Sequence, residues 1–164
     1  MIPNVKFFLK GDGKPLIKTS RDIFDNKRVV LFSLPGAFTP ICSTKMLPAY
    51  EDNYMEFREL GIDEVYCIAV NDCFVMEAWK EDLIIQNVKM LPDGNGDFTK
   101  GMGMLVAKTN LGYGNRSWRY AAVINGGEIE WEGVEPGQRS NTDKDPYENS
   151  RPERVLEYLK KVAK

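Results

Sequence analysis

The sequence predicts an α/β fold, a central sheet with helices on both of its faces. Three observations carry that reading. Short apolar runs rich in β-branched residues recur at RVVLFSL (28–34), VYCIAV (65–70) and YAAVIN (120–125), the pattern of strands buried on both faces. Segments of helical period lie between and after them. The 164 residues are 43% hydrophobic and 28% charged, enough for one domain, 1–164, with a sizeable core.

Each element follows in order. Residues 5–18 read as an N-terminal hairpin with Gly11-Asp12-Gly13 as its turn. The strand 28–34 comes next. Residues 41–60 carry Leu47, Tyr50, Tyr54 and Phe57 at helical spacing, with Pro48 as the expected kink. This helix joins the strands 28–34 and 65–70 into a parallel pair. Asn71-Asp72 is an N-cap signal for a helix over 72–83. Asn125-Gly126-Gly127 turns the 120–125 strand into EIEWEGV, with Ile129, Trp131 and Gly133 expected on one face near a sheet edge. A last helix, about 151–163, has Ser150 and Glu153 at capping-box spacing and Pro152 in its first turn. Val155, Leu156, Leu159 and Val162 make its apolar stripe.

Composition narrows the chemistry. A net charge of −2 gives no electrostatic footprint for nucleic acid or an anionic membrane. No apolar run approaches the ~18 residues of a transmembrane helix. The N-terminal stretch lacks a signal-peptide core, so a cytoplasmic protein is expected. There is no histidine, which removes Ser-His-Asp and Cys-His catalysis and imidazole metal sites. Cys42, Cys67 and Cys73 are spaced 25 and 6 apart, not as a zinc set, and their odd number suits no secreted disulfide framework. DGNGD (93–97) imitates the start of a calcium loop, but Phe98 and Met104 occupy the positions that need glycine and an acid. Met102 and Met104 read as pocket or core residues. No phosphate-binding glycine motif is present. Neither a metal nor a cofactor is expected.

Cys42 falls where a buried strand gives way to a helix, the crevice side of an α/β sheet. A helix N-terminus favours the thiolate, the reactive form of cysteine. Thr39 offers a hydroxyl three residues earlier, and Pro35 and Pro40 stiffen the lead. These residues alone leave two readings open: a reactive thiol, or a small buried hydrophobe.

The surrounding string LPGAFTPICSTKMLP resembles the active-site stretch of the peroxiredoxins, in which a proline, a threonine and a cysteine are spaced as Pro35, Thr39 and Cys42 are here. It is most similar to the type II branch, also called the fifth subfamily. VNDCFVMEAW (70–79), LPDGNGDFTKGMGM (91–104), NRSWRYAAVINGG (115–127) and VEPG (134–137) match in order and spacing, so the likeness covers essentially the whole chain. The resemblance implies a thioredoxin-like fold, a mixed central sheet flanked by helices with an N-terminal hairpin extension. It implies a thiol peroxidase acting on hydrogen peroxide and organic hydroperoxides. Cys42 would be the peroxidatic cysteine and pass through a sulfenic acid. Arg119 would stabilise thiolate and peroxide; without the resemblance it reads as a surface arginine in a strand-side salt bridge. Thr39 would align the peroxide, Pro35 would shield the sulfenic acid, and N–H groups of the Ile41–Cys42 turn would donate. The branch commonly carries histidine where this sequence has Met46, a position outside the implied catalytic set.

The reductant is left open by the resemblance. Plant-like members use a second cysteine at the spacing of Cys67, which makes Cys67 the candidate resolving residue. Mid-strand, Cys67 also reads as a core thiol, and reaching Cys42 would take local unfolding. Cys73 is a possible second reactive thiol. Otherwise an external thiol system, glutathione with glutaredoxin or thioredoxin, would close the cycle. The family further implies a homodimer, for which Phe38 and Phe74 are exposed-looking aromatics. The competing function is a redox sensor or relay with the same thiol and little turnover.

Overall fold

The computed structural model describes residues 1–40 and 42–163, and of Cys42 the backbone alone. The chain opens with an antiparallel hairpin of β1 (Lys6–Leu9) and β2 (Leu16–Thr19). Helix α1 (Ser20–Phe24) follows, started by a reciprocal cap: the Asp22 carboxylate accepts from Thr19 N at 2.9 Å and Thr19 Oγ1 accepts from Asp22 N at 3.3 Å. Then come β3 (Arg28–Ser33), α2 (Cys42–Asp52), α3 (Tyr54–Glu59), β4 (Glu64–Ala69), α4 (Cys73–Asp82), β5 (Lys89–Pro92) and α5 (Asp97–Gly101). The short strands β6 (Leu105–Ala107) and β7 (Asn115–Ser117) pair antiparallel; β8 (Tyr120–Asn125), β9 (Glu128–Val134) and α6 (Pro152–Val162) complete the fold.

The central sheet runs β5-β4-β3-β8-β9. β3, β4 and β5 are parallel, and β8 and β9 return antiparallel, so the sheet is mixed. β3, β4 and β8 are buried on both faces because a separate apolar layer covers each side. One layer joins Val30, Phe32 and Cys67 to Leu47 and Tyr50 of α2, Phe57 of α3, Trp79 of α4 and Leu159 of α6. The other sets Leu31, Ile68 and Ile124 against Phe7 of the hairpin, Phe24 of α1 and Phe98 of α5, and Met104 and Met102 belong to it. Tyr50 locks α2 to β3: its ring stacks on Phe32 at 4.0 Å and its hydroxyl donates to the Ser150 carbonyl at 2.5 Å.

Four details differ from the sequence reading. The expected helix 41–60 is two helices. Pro48 sits inside α2 and the break comes at Asn53, whose side-chain amide donates to the Ala49 carbonyl at 2.7 Å. Ser150 and Glu153 form no capping box: Arg151 is the N-cap, and Ser150 Oγ donates instead to the buried Glu135 carboxylate at 2.6 Å. Val162, expected in the apolar stripe of α6, is 48% exposed. Ile129 and Trp131 lie on opposite faces. A bulge makes Val123 face Trp131 while Ile124 faces Ile129, which turns Ile129 toward the hairpin side and Trp131 toward α6. The Asp72 cap of α4 is present, with its side chain accepting from Val75 N at 2.9 Å.

The bulge also aims Glu130. Its carboxylate accepts from Arg28 Nε at 3.0 Å, Arg28 Nη2 at 2.6 Å and the Tyr158 hydroxyl at 2.5 Å, tying β3, β9 and α6 together. The Arg28 hydrogen bonds hold the Glu130 carboxyl below the usual carboxylate range. A depressed carboxyl stabilises the fold above its unfolded value, about 4.3, and that contribution is lost as pH falls through the lower folded value. Glu130→Gln is therefore expected to cost about 1 kcal/mol at pH 7. The gap from wild type should narrow below about pH 4, as followed by thermal melting across pH.

Candidate active site

The site is built where β3 ends. Strand pairing sets Ser33 opposite Tyr120, so Arg119, just before β8, arrives beside the loop that carries residues 34–40 into α2. This is the carboxyl end of the parallel strands, where an α/β sheet opens a crevice.

The loop is held by its neighbours. Pro35 is buried and its carbonyl accepts from Arg116 Nη1 at 3.2 Å. Gly36, at φ +155°, leaves room for that contact: a Cβ would stand 2.2 Å from the same nitrogen and displace the arginine's end. Ala37 N donates to Asn71 Oδ1 at 2.9 Å, which ties the loop to the end of β4. The Thr39 hydroxyl, 8% exposed, donates to the Gly36 carbonyl at 2.6 Å and shares a hydrogen bond with Ser43 Oγ at 2.8 Å. Phe38 takes φ +61° with its ring 54% exposed, a backbone region costly for a bulky residue.

Arg119 is 2% exposed, which excludes the surface-arginine reading. Its Nη2 donates to Asp145 Oδ1 at 2.7 Å and its Nη1 to the sulfur of Met46 at 3.4 Å. The guanidinium lies 5.6 Å over the Tyr147 ring. Its Nε is buried with no hydrogen-bond partner among the described residues. Buried polar groups are nearly always satisfied, so this N–H is a donor available to a group outside the described residues. The sequence reading set Met46 apart from the catalytic groups. The structure instead buries it in α2, one turn after Cys42, against the arginine.

Cys42 opens α2, but its side chain and the Ile41–Cys42 turn expected to donate backbone N–H groups lie outside the described residues. Cys67 is wholly buried in the helix-side core, and burial pushes its thiol far up from the ordinary range. Cys73 is half-buried at the start of α4, beside a groove bounded by Phe8, Lys14 and Phe74. Asp93, from the stretch that imitates a calcium loop, is spent on α5, where it accepts from Thr99 N at 2.8 Å and Thr99 Oγ1 at 2.7 Å. Among the described residues no group of three His, Cys, Asp or Glu side chains is placed to hold a metal, and no helix is long and apolar enough to cross a membrane.

Sequence reasoning missed Asp145, Tyr147, Lys108, Arg116 and Asn71. Lys108 is 5% exposed with its ammonium 5.8 Å over Trp118. Burial pushes its pKa down, and Asp145 opposes that shift. The polar segment 138–151 shows no periodicity that could have singled out Asp145 or Tyr147. Arg119 was named from the resemblance, but nothing in the sequence marked Arg116, three residues earlier, as the donor to the Pro35 carbonyl.

The Gly36 contact is testable. Gly36→Ala is expected to destabilise by about 1–3 kcal/mol through overpacking, and by less in an Arg116→Ala background. Chemical denaturation of the four proteins gives the coupling.

Comparison with known proteins places this geometry. Residues 1–149 match the Redoxin family. A peroxiredoxin of Rhizobium etli is 58% identical over 146 residues, 89% of this chain and 82% of that protein. The crystal structure of a Plasmodium falciparum antioxidant protein, described as a 1-Cys peroxiredoxin, superposes with a TM-score of 0.90 at 38% identity, covering 98% of this chain and 97% of that one. Reduced Prx3 of Vibrio vulnificus in complex with hydrogen peroxide gives 0.85 at 33% identity, covering 96% and 95%. With its thioredoxin-like fold, the chain belongs to the Redoxin family and, within it, to the peroxiredoxins, which are thiol peroxidases.

Proposed function

We propose that Cys42 is the peroxidatic residue of a single-domain enzyme that reduces hydrogen peroxide and organic hydroperoxides. The Cys42 thiolate attacks the terminal peroxide oxygen. An S–O bond forms as the O–O bond breaks, and sulfur loses two electrons to become a sulfenic acid. The departing alkoxide or hydroxide takes a proton from solvent and leaves as alcohol or water. Arg119 stabilises the charge that develops on the peroxide oxygens. Thr39, fixed between Gly36 and Ser43, aligns sulfur and peroxide. Pro35 shields the sulfenic acid. The observation that carries this reading is the buried Arg119 with an unpartnered Nε, docked on the helix that Cys42 opens.

An external thiol closes the cycle, supplied by glutathione with glutaredoxin or by thioredoxin. Cys67 has no exposed surface and sits mid-strand in β4, so it resolves the sulfenic acid only if that strand opens. Likeness to a protein described as a 1-Cys peroxiredoxin supports the same reading. Phe38 and Phe74, 54% and 68% exposed, favour a homodimer. A cytoplasmic setting fits a cycle that needs free thiols.

The test is peroxide consumption by wild type and Cys42→Ser, supplied in turn with glutathione plus glutaredoxin and thioredoxin plus its reductase. Many turnovers, lost in the variant, are expected with one of the two systems. Consumption that stops near one peroxide per chain would favour a redox sensor. Mass spectrometry of protein treated with peroxide in the presence of glutathione should show glutathione on Cys42, formed as its thiol condenses with the sulfenic acid and water leaves; a dominant Cys42–Cys67 disulfide would overturn the external-thiol cycle.

A further inference from the structure

We infer that Asp145 and Met46 are positioning residues that set which N–H of Arg119 meets the peroxide, an inference that rests on the catalytic role of Arg119 proposed above. A guanidinium is a rigid plane with five N–H donors and no acceptor. Turned within its plane, it presents different donors to the same point. Here it is pinned at two corners. Nη2 donates to the Asp145 carboxylate at 2.7 Å, and Nη1 to the Met46 thioether at 3.4 Å. With those two corners held and Nε bonded to the rest of the side chain, the plane cannot turn, so the direction of Nε–H follows. That nitrogen is the one left buried without a partner among the described residues.

The two anchors differ in what they cost the site. A thioether is neutral and a weak acceptor, so Met46 orients the guanidinium without cancelling its charge. Asp145 is an anion, but its side chain is 46% exposed while that of Arg119 is 2% exposed. Water screens the carboxylate more than the guanidinium it holds. Asp145 thus trades some positive field at Cys42 for a fixed aim. The anchors come from different parts of the chain. Met46 sits on α2 with Cys42, and Asp145 sits in the segment between β9 and α6.

This trade gives a signature that loss of stability would not produce. Removing Asp145 should slow the step that needs aimed donors and leave the thiolate as available as before, or more so. The experiment follows Cys42 by quenched flow and mass spectrometry in two reactions, oxidation by hydrogen peroxide and alkylation by iodoacetamide. The variants are Asp145→Ala, Asp145→Asn, Met46→Leu and Met46→Gln, with melting curves as a check on folding. Asp145→Ala should lower the peroxide rate by about 10- to 100-fold with alkylation unchanged or faster. Asp145→Asn, which keeps an acceptor oxygen, should recover most of the loss. Met46→Leu should cost about 3- to 10-fold, partly restored in Met46→Gln. A peroxide rate for Asp145→Ala within twofold of wild type would overturn the inference, as would parallel loss of both reactions in a destabilised variant. A wild-type Cys42 that alkylates but does not react with peroxide would instead overturn the catalytic reading beneath it.

Discussion

The buried guanidinium of Arg119 is the constraint around which the site is arranged. An arginine cannot shed its proton inside a protein, so enclosing one obliges the fold to bring acceptors to it. Two separate stretches meet that obligation. α2 contributes the Met46 sulfur, and the segment after β9 contributes Asp145 and the Tyr147 ring. The register of β3 with β8 delivers the arginine itself to the end of β3. Moving any of these would leave the charge in an apolar interior without its partners.

Rigidity elsewhere serves the same end. The loop before Cys42 is held by contacts from outside it, Arg116 on the Pro35 carbonyl and Asn71 on Ala37 N, and by Thr39 folding back on Gly36. Tyr50 fixes α2 between Phe32 and the Ser150 carbonyl. Glu135, with 1% exposure, accepts from Glu148 N, Ser150 N and Ser150 Oγ, and so organises the segment that presents Asp145. The helix and the distal segment that clamp Arg119 are therefore tied to each other through residue 150. Cys67, by contrast, lies in the interior that this scaffold closes off.

β3, β4 and β8 were legible because their short apolar, β-branched runs suit strands covered on both faces, and β9 was legible from the Gly126-Gly127 turn before it; the edge strand β5, four residues long, left no such run. The Asp72 cap was legible because it is local. The Ser150–Glu153 capping box failed because Ser150 is claimed by Glu135, fifteen residues earlier in the chain. The face of Ile129 was misjudged because a bulge inverts alternation without leaving a mark in composition. Pro35, Thr39, Cys42 and Arg119 could be named from a resemblance. Nothing in the residues around position 46 or 145 says that they converge on one guanidinium, since that contact spans the sheet and the final loop.

The measurement that bears most directly on this account is the second-order rate of Cys42 oxidation by hydrogen peroxide in Arg119→Met, read in a single turnover beside wild type. The variant fills the space with an apolar chain and removes the charge and every donor. The account predicts a fall of about 100- to 1,000-fold in protein that still folds. A rate within about threefold of wild type, less than the loss of one such donor would cause, would contradict it and separate the buried arginine from the chemistry.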